Sequence, residues 1–238
     1  MKTVVFTSDT HNWLLRGFFH QWAKYGNELT VEVAGFTNPG FLPDYATFYS
    51  IGKFEDYPVE KWSNSIIEYL NKIDDDLFLF LLEDYWLIRP INMDALHTAE
   101  RFMTNHPEVG RFDVAADRVF NRSSRYIGSM DLIDICEAKG EYSLSFQASI
   151  YRRTALLEVM RFNESPWQSE LKGSYRLNSL HYKVVGSYQW PINYMIVMNK
   201  GKFDPSGSWM YPSRTLRVED WASLKQAGCL EMPAGVMA

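Results

Sequence analysis

The chain has 238 residues, 46% of them hydrophobic, two cysteines and a formal net charge of −5. That composition supports a substantial core without disulfides or a structural metal, and it excludes a global basic field of the kind that recruits nucleic acid, leaving only a local cationic groove for that purpose. Cys136 and Cys229 lack metal-ligand spacing and suit a reducing compartment. The N-terminal segment turns polar too early for a signal peptide, and no apolar run approaches the ~20 residues of a membrane span. The expectation is a soluble, cytoplasmic protein.

In chain order, residues 2–8 read as a first strand ending in the polar turn Ser8-Asp9-Thr10. Trp13, Leu14, Phe18, Trp22 and Tyr25 then recur at helical spacing, with Gly26 and Asn27 as a stop. Residues 29–36 form a second strand before the breaker-rich loop Thr37-Asn38-Pro39-Gly40, and residues 47–51 a short third. Pro58 opens a helix carrying Trp62, Ile66, Tyr69 and Leu70. The unbroken apolar run from Leu77 to Leu82 predicts a strand buried on both faces, as in parallel sheets. Residues 94–105 read as a helix stopped by His106-Pro107. This β-α-β-β-α-β-α order predicts a mixed or mostly parallel sheet with helices on both faces.

The second half reads differently. Residues 111–115 and 142–150 are expected strands separated by a long polar segment, and residues 154–162 and 167–175 expected helices. Residues 182–188 and 193–199 resemble a hairpin around Gln189-Trp190-Pro191, and a late helix lies near 218–226. The economical organisation is a single globule with a nucleotide-type half (1–115) and an acceptor-type half (116–238).

The buried run 77–82 leads straight into Glu83-Asp84. Ligands in open α/β sheets bind outside the carboxyl ends of the strands, so two acids there either repel or share a cation, a proton or a polar ligand. Carboxylates are hard ligands for Mg²⁺ or Mn²⁺, and such an ion would neutralise a pyrophosphate leaving group. The alternative is a strand-end pair bonded to nearby backbone or to Arg89. Thr7, Ser8 and Asp9 can bond a nucleobase or ribose, or can cap the helix that follows; neither GxGxxG nor a Walker A loop is present there. Asp113, Asp117 and Arg118 offer either a salt bridge or an acceptor-side role. Arg118, Arg122 and Arg125 alternate with aromatics, a pattern that suits phosphate and base contacts or a solvated loop. Gln147, Trp167 and Glu170 supply an amide, an indole to stack on a sugar or base, and an acid to deprotonate an acceptor hydroxyl; otherwise the last two are a core tryptophan and a helix-surface glutamate. The five histidines show no zinc spacing, and no GxSxG elbow exists.

Taken together, VVFTSDTHNWLLRGFFHQWAKYGN, VEVAGF, FLLEDYWLIRPIN, SLSFQASIYRR and ESPWQSELKGSYR resemble a set of small GT-A-type glycosyltransferase-like proteins of bacteriophages and bacterial surface-polysaccharide loci. The resemblance spans roughly residues 3–200. It implies an α/β, GT-A-like (Rossmann-related) fold with a mixed, mostly parallel sheet flanked by helices. It also implies a nucleotide-sugar donor, often a UDP-sugar, held by the first half. By that resemblance Thr7, Ser8 and Asp9 contact the nucleoside, and Glu83 and Asp84 stand where related enzymes carry an acidic metal-and-sugar motif. The common motif is Asp-x-Asp or Glu-Asp-Asp, and here Tyr85 takes the last acidic place. Either Asp84 holds a Mg²⁺ or Mn²⁺ ion with water, or the site works without metal and Lys61, Arg89 or Arg176 stabilises the departing diphosphate. The implied activity is hexosyl transfer to an acceptor hydroxyl, with Glu170 or Asp117 as base. The expected acceptor is a 5-hydroxymethylpyrimidine in phage DNA, gripped by Arg118, Arg122 and Arg125, with a cell-surface or capsular saccharide as the alternative. A non-catalytic nucleotide- or glycan-binding module and a nucleotidyltransferase are the competing readings.

Overall fold

Period-two burial along the strands builds two hydrophobic layers on one sheet in the computed structural model, which describes residues 1–26, 29–115, 125–131, 133–137, 142–180, 182–207 and 215–232. The first part contains β1 (Lys2–Phe6), α1 (Leu15–Tyr25), β2 (Val31–Gly35), β3 (Ala46–Ser50), α2 (Trp62–Leu70), β4 (Leu77–Leu82), β5 (Tyr85–Leu87), α3 (Met93–Asn105) and β6 (Val109–Asp113). The second contains β7 (Arg125–Met130), β8 (Ile133–Glu137), β9 (Ser149–Arg152), α4 (Arg153–Val159), α5 (Pro166–Ser179) and β10 (Lys183–Ser187). The short strands β11 (Tyr194–Ile196), β12 (Met198–Asn199) and β13 (Lys202–Phe203) and the helix α6 (Val218–Gln226) complete it.

Among the described residues nine strands form the main sheet, in the order β3-β2-β1-β4-β9-β6-β10-β8-β7. β1, β2, β3 and β4 are mutually parallel, with Phe6 opposite Leu82. β9 is antiparallel to both β4 and β6, so β6 and its parallel neighbour β10 run the same way as β4. β8 is antiparallel to both β10 and β7, so among the described residues the carboxyl ends of seven strands share one edge. On one face, Val5, Leu79 and Leu81 pack with Phe18 and Trp22 of α1 and Leu96 and Met103 of α3. On the other, Phe6, Phe78 and Phe80 pack with Ile66 and Leu70 of α2, Leu156 of α4 and Leu177 of α5. A strand covered on both faces needs apolar residues at every position, which is why β4 reads as LFLFLL. The fold is thus the expected GT-A-like class, a mixed and mostly parallel sheet flanked by helices in a single domain. Among the described residues no helix is long and apolar enough to cross a membrane.

Three expectations change. The polar stretch before residue 142 contains the ladder β7–β8, whose only periodic signal is the alternation of buried Ile133 and Ile135. Residues 142–148 are not strand; pairing with β4 and β6 begins at Ser149. Residues 182–199 are not a hairpin. β10 lies between β6 and β8, whereas β11 pairs with β5, Tyr194 opposite Leu87. The connection leaves the sheet because its backbone is claimed elsewhere: Ile192 N–H donates to Val114 O, and Pro191 O accepts from Asn92 N–H.

Candidate active site at the carboxyl edge of the sheet

The register of β1 on β4 sets Thr7 and Ser8 beside Glu83, just beyond the last paired residues. After Leu82 the chain makes a two-residue turn at Glu83-Asp84 and enters β5, whose Trp86 is seated hard against α1. Gly17 is required there, since a Cβ would lie 2.0 Å from the Trp86 ring. The acids are therefore fixed by a buried strand on one side and a buried indole on the other.

Glu83 is 8% exposed and Asp84 is partly exposed. Among the described residues the only basic group within 4.0 Å of either carboxylate is His11, whose Nδ1 is 3.8 Å from Glu83 Oε1. Burial holds the His11 imidazole below its ordinary range, so it gives Glu83 little positive charge. Burial, with Asp84 beside it, drives Glu83 well above the carboxylic range, and burial pushes Asp84 up to about 7. The pair shares too little cation for its charge. Ser8 Oγ also lies 3.2 Å from His11 Nδ1. Because Ser8 and Glu83 meet the same ring nitrogen, they do not form a relay through the imidazole of the kind that activates a serine nucleophile.

Opposite this turn stands the segment 142–148, which lacks regular structure and is bonded almost throughout by distant side chains. Ser143 O accepts from Arg111 Nη1 at 3.0 Å, and Ser174 Oγ bonds both Leu144 N–H and Leu144 O, at 3.0 and 3.2 Å. Tyr151 OH donates to Ser145 O. Glu170 Oε1 accepts from Phe146 N–H at 2.9 Å, and Tyr85 OH donates to Phe146 O at 3.0 Å. Tyr85 stacks on Tyr194, with ring centroids 4.4 Å apart, and Tyr194 OH donates to Gln147 Oε1. These buried backbone groups thus find partners away from water, and the antiparallel register of β9 on β4 brings Gln147 close to the end of β4.

A second feature is invisible in sequence order. Val197 N–H donates to Asp84 O at 3.0 Å, and the chain then forms the β12–β13 hairpin, turning at Lys200 and Gly201, both with positive φ. Phe203 wedges the hairpin against Trp13 and Trp86, at centroid distances of 4.9 and 5.9 Å. Lys200 and Lys202 are exposed on this hairpin, which begins at the acidic turn.

The remaining expected residues fall into three groups. Asp9 is at the edge but braces the loop after β2, accepting from Thr37 N–H at 2.9 Å and Thr37 Oγ1 at 2.6 Å. Lys61 is exposed just before Trp62, whose ring packs edge-on against Phe146 at 4.5 Å. Glu170 and Gln147 belong to the strap, and Trp167 stands 67% exposed on α5. Two arginines are occupied elsewhere: the guanidinium of Arg176 forks onto Glu164 at 3.0 and 2.6 Å, which removes it as a diphosphate ligand, and Arg125 bonds Glu137 at 3.1 Å. Arg125 lies on the edge strand β7, five strands from β4. Asp117, Arg118 and Arg122 lie outside the described residues. Among the described residues no three His, Cys, Asp or Glu side chains cluster as a ready-made metal cage.

No family model matches the chain, and no curated protein matches it. Solved structures do. The galactosyltransferase LgtC, in complex with donor and acceptor sugar analogs, aligns over the full length of both chains at 14% identity and a TM-score of 0.50. S. aureus TarS 1-349 in complex with UDP aligns over 78% of this chain at 12% identity and a TM-score of 0.47. This chain spans 57% of that fragment. A cytidylyltransferase from Leptospira borgpetersenii aligns over both full lengths at 10% identity and a TM-score of 0.47. At such identities the likeness is one of fold.

Proposed function

We propose that the chain is a glycosyltransferase that moves a sugar from a nucleotide-diphosphate sugar, a UDP-sugar by preference, to an acceptor hydroxyl at the carboxyl edge of its sheet. The observation that carries this reading is the Glu83-Asp84 turn: two adjacent acids, short of cation, at the end of the central strand of a GT-A-like fold. A donor arriving with a divalent ion would supply the missing charge. The donor set fits such an ion in chemistry, since Asp84 and Glu83 are hard oxygen ligands and diphosphate and water can complete the shell. When bound, the ion would neutralise charge on the departing diphosphate.

The chain's own residues take the following roles. Residues 1–115 hold the donor, with Thr7 and Ser8 at the nucleoside and Asp9 keeping the loop after β2 in place. Lys200 and Lys202 on the hairpin, with Lys61 across the edge, offer cations to the leaving diphosphate, a charge-stabilising role worth most where water is excluded. Gln147 meets the transferred sugar or the acceptor. Glu170, whose carboxylate is engaged with Phe146 N–H, acts as a positioning residue for the strap rather than as the base, and Asp117 is the remaining candidate for proton removal. Residues 116–238 receive the acceptor.

A saccharide acceptor is favoured over a DNA base. Arg125 is paired and five strands from the acids, the net charge is −5, and the remaining support for DNA is Arg118 and Arg122. The test is mass spectrometry after incubation with a panel of nucleotide sugars and two acceptors, a soluble oligosaccharide mixture and 5-hydroxymethylated DNA. A gain of one hexose on a saccharide is the expected result. A gain on DNA overturns the acceptor assignment, and UDP binding with neither transfer nor donor hydrolysis leaves a binding module in place of an enzyme.

A further inference from the structure

We infer that the outer face of α5 is a platform for an extended, neutral saccharide chain. The inference rests on the transferase reading only for making that chain the acceptor. Trp167, Leu171 and Tyr175 are 67%, 44% and 72% exposed and recur at i, i+4 and i+8. At 1.5 Å per residue they are spread over about 12 Å along one side of the helix, a span suited to a short run of sugar rings. They include the two largest side chains on α5, Trp167 and Tyr175, and they point away from the core.

The helix itself is held firmly. Pro166 occupies its first turn, and Ser165 with Gln168 forms a reciprocal cap. Its inner face carries Ser169, Gly173, Ser174 and Leu177. Gly173 admits Leu144, whose Cδ2 would sit 2.3 Å from an added Cβ, and Ser174 and Glu170 bond the strap. With the inner face fixed in this way, binding has to order the ring side chains but not the helix that carries them.

Charge and area choose the occupant. The exposed positions of α5 are Trp167, Gln168, Leu171, Lys172, Tyr175, Asn178 and Ser179, with one charge among them. A polyanion needs a row of cations to release counterions, and one lysine does not provide it. Two aromatic rings of 150–250 Å² each, mostly exposed, and half a leucine present roughly 300–400 Å². A stable dimer needs about 800 Å² per partner. A saccharide chain asks for what is present, flat rings to meet C–H faces and neutral amides and hydroxyls to meet its edges. The same helix also supplies the carboxylate that fixes the strap carrying Gln147.

The test is affinity electrophoresis in native gels containing dextran, hydroxyethylcellulose or heparin, with sedimentation velocity alongside. The native chain should be retarded by at least one neutral polysaccharide and not by heparin. Trp167→Ala/Tyr175→Ala should weaken that retardation at least tenfold, Tyr175→Phe should keep it, and circular dichroism should confirm that both variants are folded. Retardation by heparin alone, by no gel, or unchanged in the double variant overturns the proposal. So does self-association that the double variant abolishes. A parallel titration with UDP separates the two readings. Polysaccharide retardation without UDP binding leaves the platform standing and removes the transferase, and UDP binding without retardation does the reverse.

Discussion

At the end of β6, Asp113 is 2% exposed and has Arg111 Nη2 at 2.8 Å and Ser149 Oγ at 3.2 Å, while the fully buried Arg111 also donates to Ser149 Oγ and Ser143 O. At the end of β4, on the same edge of the same sheet, the one basic group among the described residues within 4.0 Å of the Glu83 and Asp84 carboxylates is His11, 3.8 Å from Glu83. One site brings its own counter-charge into the interior and bonds it on several sides. The other buries two adjacent carboxyls without such a partner, and burial, aided at Glu83 by the neighbouring Asp84, holds their protons into the neutral range. A buried ion pair of the first kind is costly to break and does little else. An acid pair of the second kind gains most from an incoming cation, which is the difference between a fold element and a site.

Removing one side of the complete pair should have the largest effect. Asp113→Ala strands a buried guanidinium and should cost about 3–5 kcal/mol of folding stability in urea unfolding; a loss below ~1 kcal/mol would show that the two sites are alike after all. Asp84→Asn should instead cut sugar transfer about 100-fold, roughly 2.7 kcal/mol of barrier, with no fall in melting temperature. Between the two sites, Tyr194→Phe frees Gln147 and should cost about 1 kcal/mol of stability while lowering turnover more than donor affinity, read from steady-state kinetics.

The smallest effect is in pH. A carboxyl whose folded pKa is raised binds its proton more tightly in the native state. Its favourable contribution is complete below the unfolded carboxyl range and is lost as pH rises through the folded value, about 7 for Asp84. Between roughly pH 5 and pH 8, the native melting temperature should therefore fall relative to that of Asp84→Asn. Parallel melting curves would mean that Asp84 titrates as an ordinary surface acid.

The first half of the fold was legible because each signal is local. LFLFLL names its own boundaries in β4, and the aromatics of α1 repeat at helical spacing. The late helix at residues 218–226 was legible for the same reason. The acids were legible as a pair because strand-end position follows from the strand. Their environment was not. The strap 142–148 depends on Arg111, Ser174 and Tyr85, which lie 32, 30 and 61 residues away from the groups they bond, and it mimics a strand by its apolar content. The hairpin that carries Lys200 and Lys202 starts at the acidic turn only because β11 pairs with β5 and not with β10. Arg176 looked available because nothing in its own helix announces Glu164 as a partner.

The most direct measurement is calorimetric titration of UDP into the native chain and into Asp84→Asn, each with and without Mn²⁺. The account predicts that the native chain binds UDP more tightly with the ion, and that the substitution removes most of this gain while the variant stays folded. Equal UDP affinity in both proteins, indifferent to Mn²⁺, would contradict the claim that the acidic turn is where a nucleotide-sugar is held.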